Sequence, residues 1–201
     1  MKVNLAVVGL TLCAGVMPAQ RQAPLKPFDQ PDANPQYFPK GTFDDFASRW
    51  YAQALRAMKE PSISAGSDFG GVDVYRFLWL RTFDQPIAVR LVVKPDASGT
   101  VHLKVTSGKG GYDPGRVIVD QSVPVSAVQV GVFRTLLKNC PPPARRDAGG
   151  NDGAQWIMEV LERGHYQARE RWSPEPGDKY REVCLYLLGL TKFTVAAKDS
   201  Y

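Results

Sequence analysis

Residues 72 to 83 read Val72-Asp73-Val74-Tyr75-Arg76-Phe77-Leu78-Trp79-Leu80-Arg81-Thr82-Phe83. The middle of this run is apolar at successive positions, so both faces are hydrophobic, as in a central strand of a sheet. Working outward, Ile87 to Lys94 is rich in β-branched residues. Asp96-Ala97-Ser98-Gly99 then has the composition of a hairpin turn, and Thr100 to Thr106 alternates Val101, Leu103 and Val105 with polar residues. Arg116 to Val123 reads as a fourth strand. Trp156 to Leu161 and Tyr166 to Trp172 add a pair joined at Arg163-Gly164.

Helices bracket these strands. Thr42 and Asp45 have capping-box spacing, and Asp44 adds charge in the first turn. Phe43, Phe46, Trp50, Ala54 and Met58 recur at helical steps, giving an apolar face that Pro61 ends. Ser126 is the expected cap of a second helix reaching about Leu137, stopped by Cys140-Pro141-Pro142-Pro143. A third is expected over Asp178–Leu188 with Tyr180, Val183, Cys184, Leu187 and Leu188 inward. Hairpin connections dominate and no strand–helix–strand crossover repeats. The expectation is an α+β domain over 42–195, a largely antiparallel sheet of about six strands packed with three helices.

Composition excludes several classes. The 201 residues, 44% hydrophobic and 22% charged, suffice for one packed domain. A formal charge of +5 falls short of the concentrated basic stripe of a nucleic-acid binder, and two histidines leave little room for a multi-His metal site. No metal or other cofactor is expected.

The N-terminus carries one charge at Lys2, an apolar stretch to Val16 and Ala19 before a polar run, the three-part pattern of a secretory signal over 1–19. It is too short for a final membrane span. A Pro-rich leader follows over 20–41. The expected location is periplasmic or secreted. Cys13 raises the alternative of a lipid anchor, although Leu10-Thr11-Leu12 lacks the small residue usual before a lipidated Cys. In an oxidising compartment Cys140 and Cys184 become a candidate disulfide, with two buried thiols as the alternative.

Several constellations are weighed against catalysis. His102 falls mid-strand and His165 at a hairpin turn, and no Gly-x-Ser-x-Gly elbow exists. Asp147-Ala-Gly-Gly-Asn151-Asp152-Gly153 with Glu159 fails the calcium-loop template at its third position, its required glycine and its final spacing. Trp79, Trp156, Trp172, Tyr166 and Tyr180 could form a carbohydrate platform but fit core positions better. The stretch Ser107-Gly108-Lys109-Gly110-Gly111-Tyr112-Asp113-Pro114-Gly115 sets a hydroxyl, an ammonium and a phenol among four glycines. A loop of that kind suits a narrow acidic cleft, such as the carboxylate pair of a glycosidase, to which Ser107, Lys109 and Tyr112 could all donate. A plain glycine turn is the alternative.

Ser107-Gly108 with Tyr112 resembles the Ser-Gly-x-x-Tyr loop of bacterial periplasmic lysozyme inhibitors, with one residue more between Gly and Tyr. A Tyr followed by Thr-Lys-Gly, their second motif, is not present; Thr191-Lys192-Phe193 is the nearest string. Those inhibitors are also mainly β. Trp79-Leu-Arg, Gly110-Gly-Tyr-Asp-Pro-Gly, Asp152-Gly-Ala-Gln-Trp156, Arg171-Trp-Ser-Pro and Cys184-Leu-Tyr-Leu-Leu together resemble a group of exported bacterial proteins of unassigned activity. That wider resemblance informs fold more than function; export, the absence of catalytic spacing and the basic glycine loop give the expectation of a periplasmic non-enzymatic binding protein. It would block a cell-wall-degrading glycosidase, a peptidoglycan hydrolase, through residues 107–112. Two alternatives stand beside it. One is an exported hydrolase or metal-dependent enzyme using Asp113, Asp120, Asp152, Glu159 or His165; the other is a structural envelope lipoprotein.

Overall fold

The computed structural model describes residues 37–64, 69–141, 150 and 152–196. The signal segment, Cys13, most of the leader, and Asp147 and Asn151 of the calcium-like stretch lie outside the described residues. In chain order the elements are α1 (Asp45–Ala57), β1 (Val74–Arg81), β2 (Ile87–Val93), β3 (Gly99–Thr106), β4 (Val117–Val125), α2 (Ala127–Lys138), β5 (Ala154–Glu162), β6 (His165–Trp172) and α3 (Lys179–Gly189). The six strands form one sheet in the order β4-β3-β2-β1-β5-β6, each neighbouring pair antiparallel. The architecture is α+β, six antiparallel strands with three helices.

The doubly apolar run proves to be β1, buried at all eight positions between β2 and β5. Its odd-numbered side chains Tyr75, Phe77 and Trp79 face α2 and α3, where they join Val130, Phe133, Val183, Cys184 and Leu187. Trp79 stands opposite Trp156 across the β1–β5 pair, ring centroids 4.6 Å apart, with Phe77 5.1 Å from the latter. A cross-strand aromatic pair of this kind contributes about 0.2–1 kcal/mol beyond an Ala pair. Trp79, Trp156 and Tyr180 are therefore core, while Tyr166 and Trp172 are half-buried on the edge strand. The β5–β6 reversal has both Arg163 and Gly164 at positive φ, 52° and 77°, the signature of a two-residue type I′ hairpin.

The even-numbered residues of β1 face α1. Leu78 and Leu80 pack with Ala88 and Ile157 beneath Ala47, Tyr51, Ala54, Leu55 and Met58. Here the structure differs from the sequence reading in three ways. Asp44, not Thr42, caps α1, its carboxylate accepting from Ala47 N at 2.8 Å. The folded segment begins earlier than residue 42, since Tyr37 and Phe38 are buried in the same cluster. The apolar face is also turned. Phe46 is 56% exposed and Trp50 half-buried, because Ala47-Tyr51-Ala54-Leu55-Met58 forms a competing stripe that fits the flat sheet more closely. The second helix matches its expected cap, Ser126, which forms a full capping box with Gln129; the third starts one residue later than expected, at Lys179, with Asp178 as its cap accepting from Tyr180 N.

Candidate binding surface

The chain between β3 and β4 is the glycine loop, and its backbone closes like a zip. Ser107 N donates to Arg116 O at 2.9 Å, Gly108 N to Pro114 O at 3.0 Å and Lys109 N to Asp113 O at 2.8 Å. Tyr112 N donates to Lys109 O at 3.1 Å, so Lys109-Gly110-Gly111-Tyr112 is a hydrogen-bonded β-turn at the tip. Asp113 Oδ1 accepts from Gly115 N at 2.9 Å, and Ser107 Oγ from Arg116 N at 3.2 Å.

That tip does not stand free. Gly110 N donates to the carbonyls of Arg81 (2.9 Å) and Asp84 (3.0 Å), and Gly111 N to that of Thr82 (3.2 Å), all in the β1–β2 connection. From α1, Trp50 Nε1 donates to Gly110 O at 2.6 Å. The glycines serve this close approach more than left-handed backbone. Of the four in the loop only Gly115 has positive φ (72°), whereas a Cβ on Gly108 would lie 2.0 Å from Asp113 O and one on Gly110 2.6 Å from Arg81 O. Arg81 steadies the other side. Its guanidinium lies 4.9 Å from the centre of the Trp79 ring and donates to Gln85 O at 2.9 Å.

The loop is thus a rigid ledge rather than a free finger. Ser107 Oγ accepts from Arg116 N while the residue itself stays exposed, which leaves its hydroxyl proton free to donate outward. Lys109 and Tyr112 remain exposed, and the Tyr112 ring lies 6.3 Å from that of Phe83, itself 48% exposed. On the other flank Phe46 lies 6.1 Å from Trp50, whose indole holds the loop. Phe46, Trp50 and Phe83 were missed in the sequence reading. Spacing alone puts Phe83 at a strand end and the Phe46/Trp50 pair in the core.

The carboxylates proposed for a hydrolase do not converge. Asp152 precedes β5 and His165 opens β6 at the far end of the same pair, a strand length of about 30 Å away. Asp113 lies in the glycine loop and Asp120 on the edge strand β4. Glu159 is fully buried and committed: its Oε2 takes Arg76 Nε at 2.6 Å and its Oε1 takes Tyr166 OH at 2.9 Å. His102 Nδ1 is 2.8 Å from Oγ of Ser122, its direct cross-strand neighbour on β4. Burial, with Arg90 next, pushes this imidazole below its ordinary value.

Glu159 belongs to a buried charge network on the α1 face. Glu60, in the chain after α1, receives Arg90 Nε at 2.8 Å and lies 3.6 Å from Arg76 Nη1 and 3.4 Å from Lys104 Nζ. Arg76 Nη1 also donates to Pro61 O at 2.6 Å, and Tyr37 OH to Glu60 O at 2.9 Å. Burial alone would raise the Glu60 carboxyl, but Arg76, Arg90 and Lys104 together hold it below its usual range. Burial raises that of Glu159, with Arg76 only partly offsetting it. The network clamps residues 37–62 onto the sheet, and so positions the helix that carries Trp50.

Cys140 and Cys184 are both buried free thiols within one apolar cluster. Burial raises both, so neither is an activated nucleophile. Among the described residues no group of three His, Cys, Asp or Glu could hold a metal ion, and no helix is long and apolar enough to cross a membrane. No protein-family model and no curated protein matches this chain.

Proposed function

We propose that this protein is an exported, non-enzymatic binding protein that docks the Lys109–Tyr112 turn into a carboxylate-lined cleft of a partner, a cell-wall glycosidase of the lysozyme type. The observation that carries the reading is the fixed turn: its carbonyl and amides are held by Trp50, Arg81, Thr82 and Asp84, while the Lys109 and Tyr112 side chains are left to solvent. A loop ordered before contact loses little conformational entropy on binding, which is the property a cleft-blocking protein needs. The Lys109 ammonium complements an acidic cleft, and the paired faces of Tyr112 and Phe83 offer the apolar area that anchors an interface.

The test is a turbidity assay in which muramidases lyse cell walls with and without the protein. Inhibition that disappears in Lys109→Glu/Tyr112→Ala supports the reading. Wild-type protein that leaves every muramidase in the panel at full activity overturns it.

A further inference from the structure

Away from the glycine turn, a cavity of about 460 Å³ opens between the end of α1 and the start of β4. Its floor is the cross-strand pair Lys104–Asp120, its walls are Lys59 on one side and Gly115, Arg116 and Val117 on the other. Three cations from three separate parts of the chain therefore line the cavity with one carboxylate, Asp120, and the Lys104 ammonium also lies 3.4 Å from the buried carboxylate of Glu60. The C-terminal carbonyls of α1, which would repel an anion, are already occupied. Ala54 O accepts from Met58 N, Leu55 O from Glu60 N and Arg56 O from Lys59 N, while Lys59 O takes the Lys104 ammonium at 3.0 Å.

Two departures from ordinary local chemistry meet at this cavity. Lys59 occupies the position just past the helix end with φ of 52°, where glycine is the cheap choice and any other residue is strained. Across from it the β3–β4 register slips, Val105 pairing with Val119 but Thr106 with Val117, so that Ile118 is an extra residue on the rim. Strain and a bulge at one concave, cation-lined place are what a built binding site looks like.

We infer that this cavity binds a compact oxyanion, a phosphate or carboxylate head, with Lys59, Lys104 and Arg116 taking the anionic oxygens and Asp120 accepting from a ligand hydroxyl. The site is independent of the glycine turn. Lys59→Gly suits the left-handed backbone and Arg116→Ser removes a solvent-facing charge, so the double variant keeps the fold.

The experiment titrates uniformly ¹⁵N-labelled protein with inorganic phosphate, and separately with acetate, against chloride at constant ionic strength. Saturable amide shifts confined to Lys59, Gly115, Val117 and Asp120 are expected for one or both anions, which also separates a phosphate ligand from a carboxylate one. The double variant should bind about a hundredfold more weakly or worse, the loss of two charged hydrogen bonds at about tenfold each. Absence of saturable shifts with either anion, shifts spread over other basic surfaces, or an undiminished response in the double variant each overturns the inference.

Discussion

The indole Nε1–H of Trp50 donates to the carbonyl of Gly110 across sixty residues of sequence, at 2.6 Å. This bond ties α1, on one face of the sheet, to the turn that carries Lys109 and Tyr112. Trp50→Phe keeps the ring and removes the donor. It is expected to cost about 0.5–1.5 kcal/mol and to speed hydrogen exchange selectively at Gly110 and Gly111. Exchange unchanged at those two amides would show that the β1–β2 contacts alone fix the turn.

Gly110 and Gly131 separate the two uses of glycine. A methyl group on Gly110 would press on Arg81 O at 2.6 Å, in backbone that cannot yield cheaply, whereas Gly131 in α2 has nothing within 4 Å. Gly110→Ala should destabilise by about 1–3 kcal/mol. Gly131→Ala should stabilise by about 0.5–1 kcal/mol, since alanine is the better helix former. Urea midpoints at constant slope measure both.

Glu60 gives the acid limb its shape. Its folded carboxyl lies below the ordinary value of 4.5, so between the two the unfolded chain binds more protons. Stability is then fully present above about 4.5 and is lost as pH falls through the folded value. Glu60→Gln leaves Arg76 and Arg90 without their shared carboxylate and should cost about 3–5 kcal/mol near neutral pH, with a flatter acid limb. Glu159 acts with the opposite sign and is itself pushed up in part by Glu60, so the wild-type minus variant difference, followed by unfolding at pH 3 to 7, reports Glu60 together with its coupling to Glu159.

Cys140 at the end of α2 and Cys184 in α3 are free thiols here, in one apolar cluster. The sequence expectation of a disulfide remains a proposal for the protein in an oxidising compartment. Protein secreted to an oxidising compartment should show neither thiol alkylated after unfolding without reductant, and should lose about 2–4 kcal/mol on reduction. Full alkylation of both without reductant would leave them as packing residues.

Where local pattern and burial agree, the fold was legible. The doubly apolar β1, the Ser126 cap of α2 and the inward face of α3 all stand where their side-chain spacing puts them. The rotation of α1 was not, because Phe46/Trp50 and Tyr51/Ala54/Leu55/Met58 are both valid helical stripes, and only the sheet's shape selects between them. The first residues of the core were hidden for a related reason. Tyr37 and Phe38 sit among prolines that read as leader, yet the Phe38 ring meets Phe43 and Tyr51 and the Tyr37 hydroxyl donates to Glu60 O. At the site, Lys109 and Tyr112 were legible as outward groups, while the Trp50 bond to Gly110 depends on a contact between segments sixty residues apart. Arg76 and Glu159 carried a signal that was passed over: opposite charges at inward positions of two apolar strands.

Competition for the partner's cleft tests the central claim most directly. A muramidase is titrated with this protein by calorimetry at rising concentrations of a chitooligosaccharide that fills the cleft. If the Lys109–Tyr112 turn enters that cleft, the apparent affinity should fall in proportion to saccharide occupancy, and Lys109→Glu/Tyr112→Ala should show no binding heat. Binding that is indifferent to the saccharide, or equal in the double variant, would contradict the account.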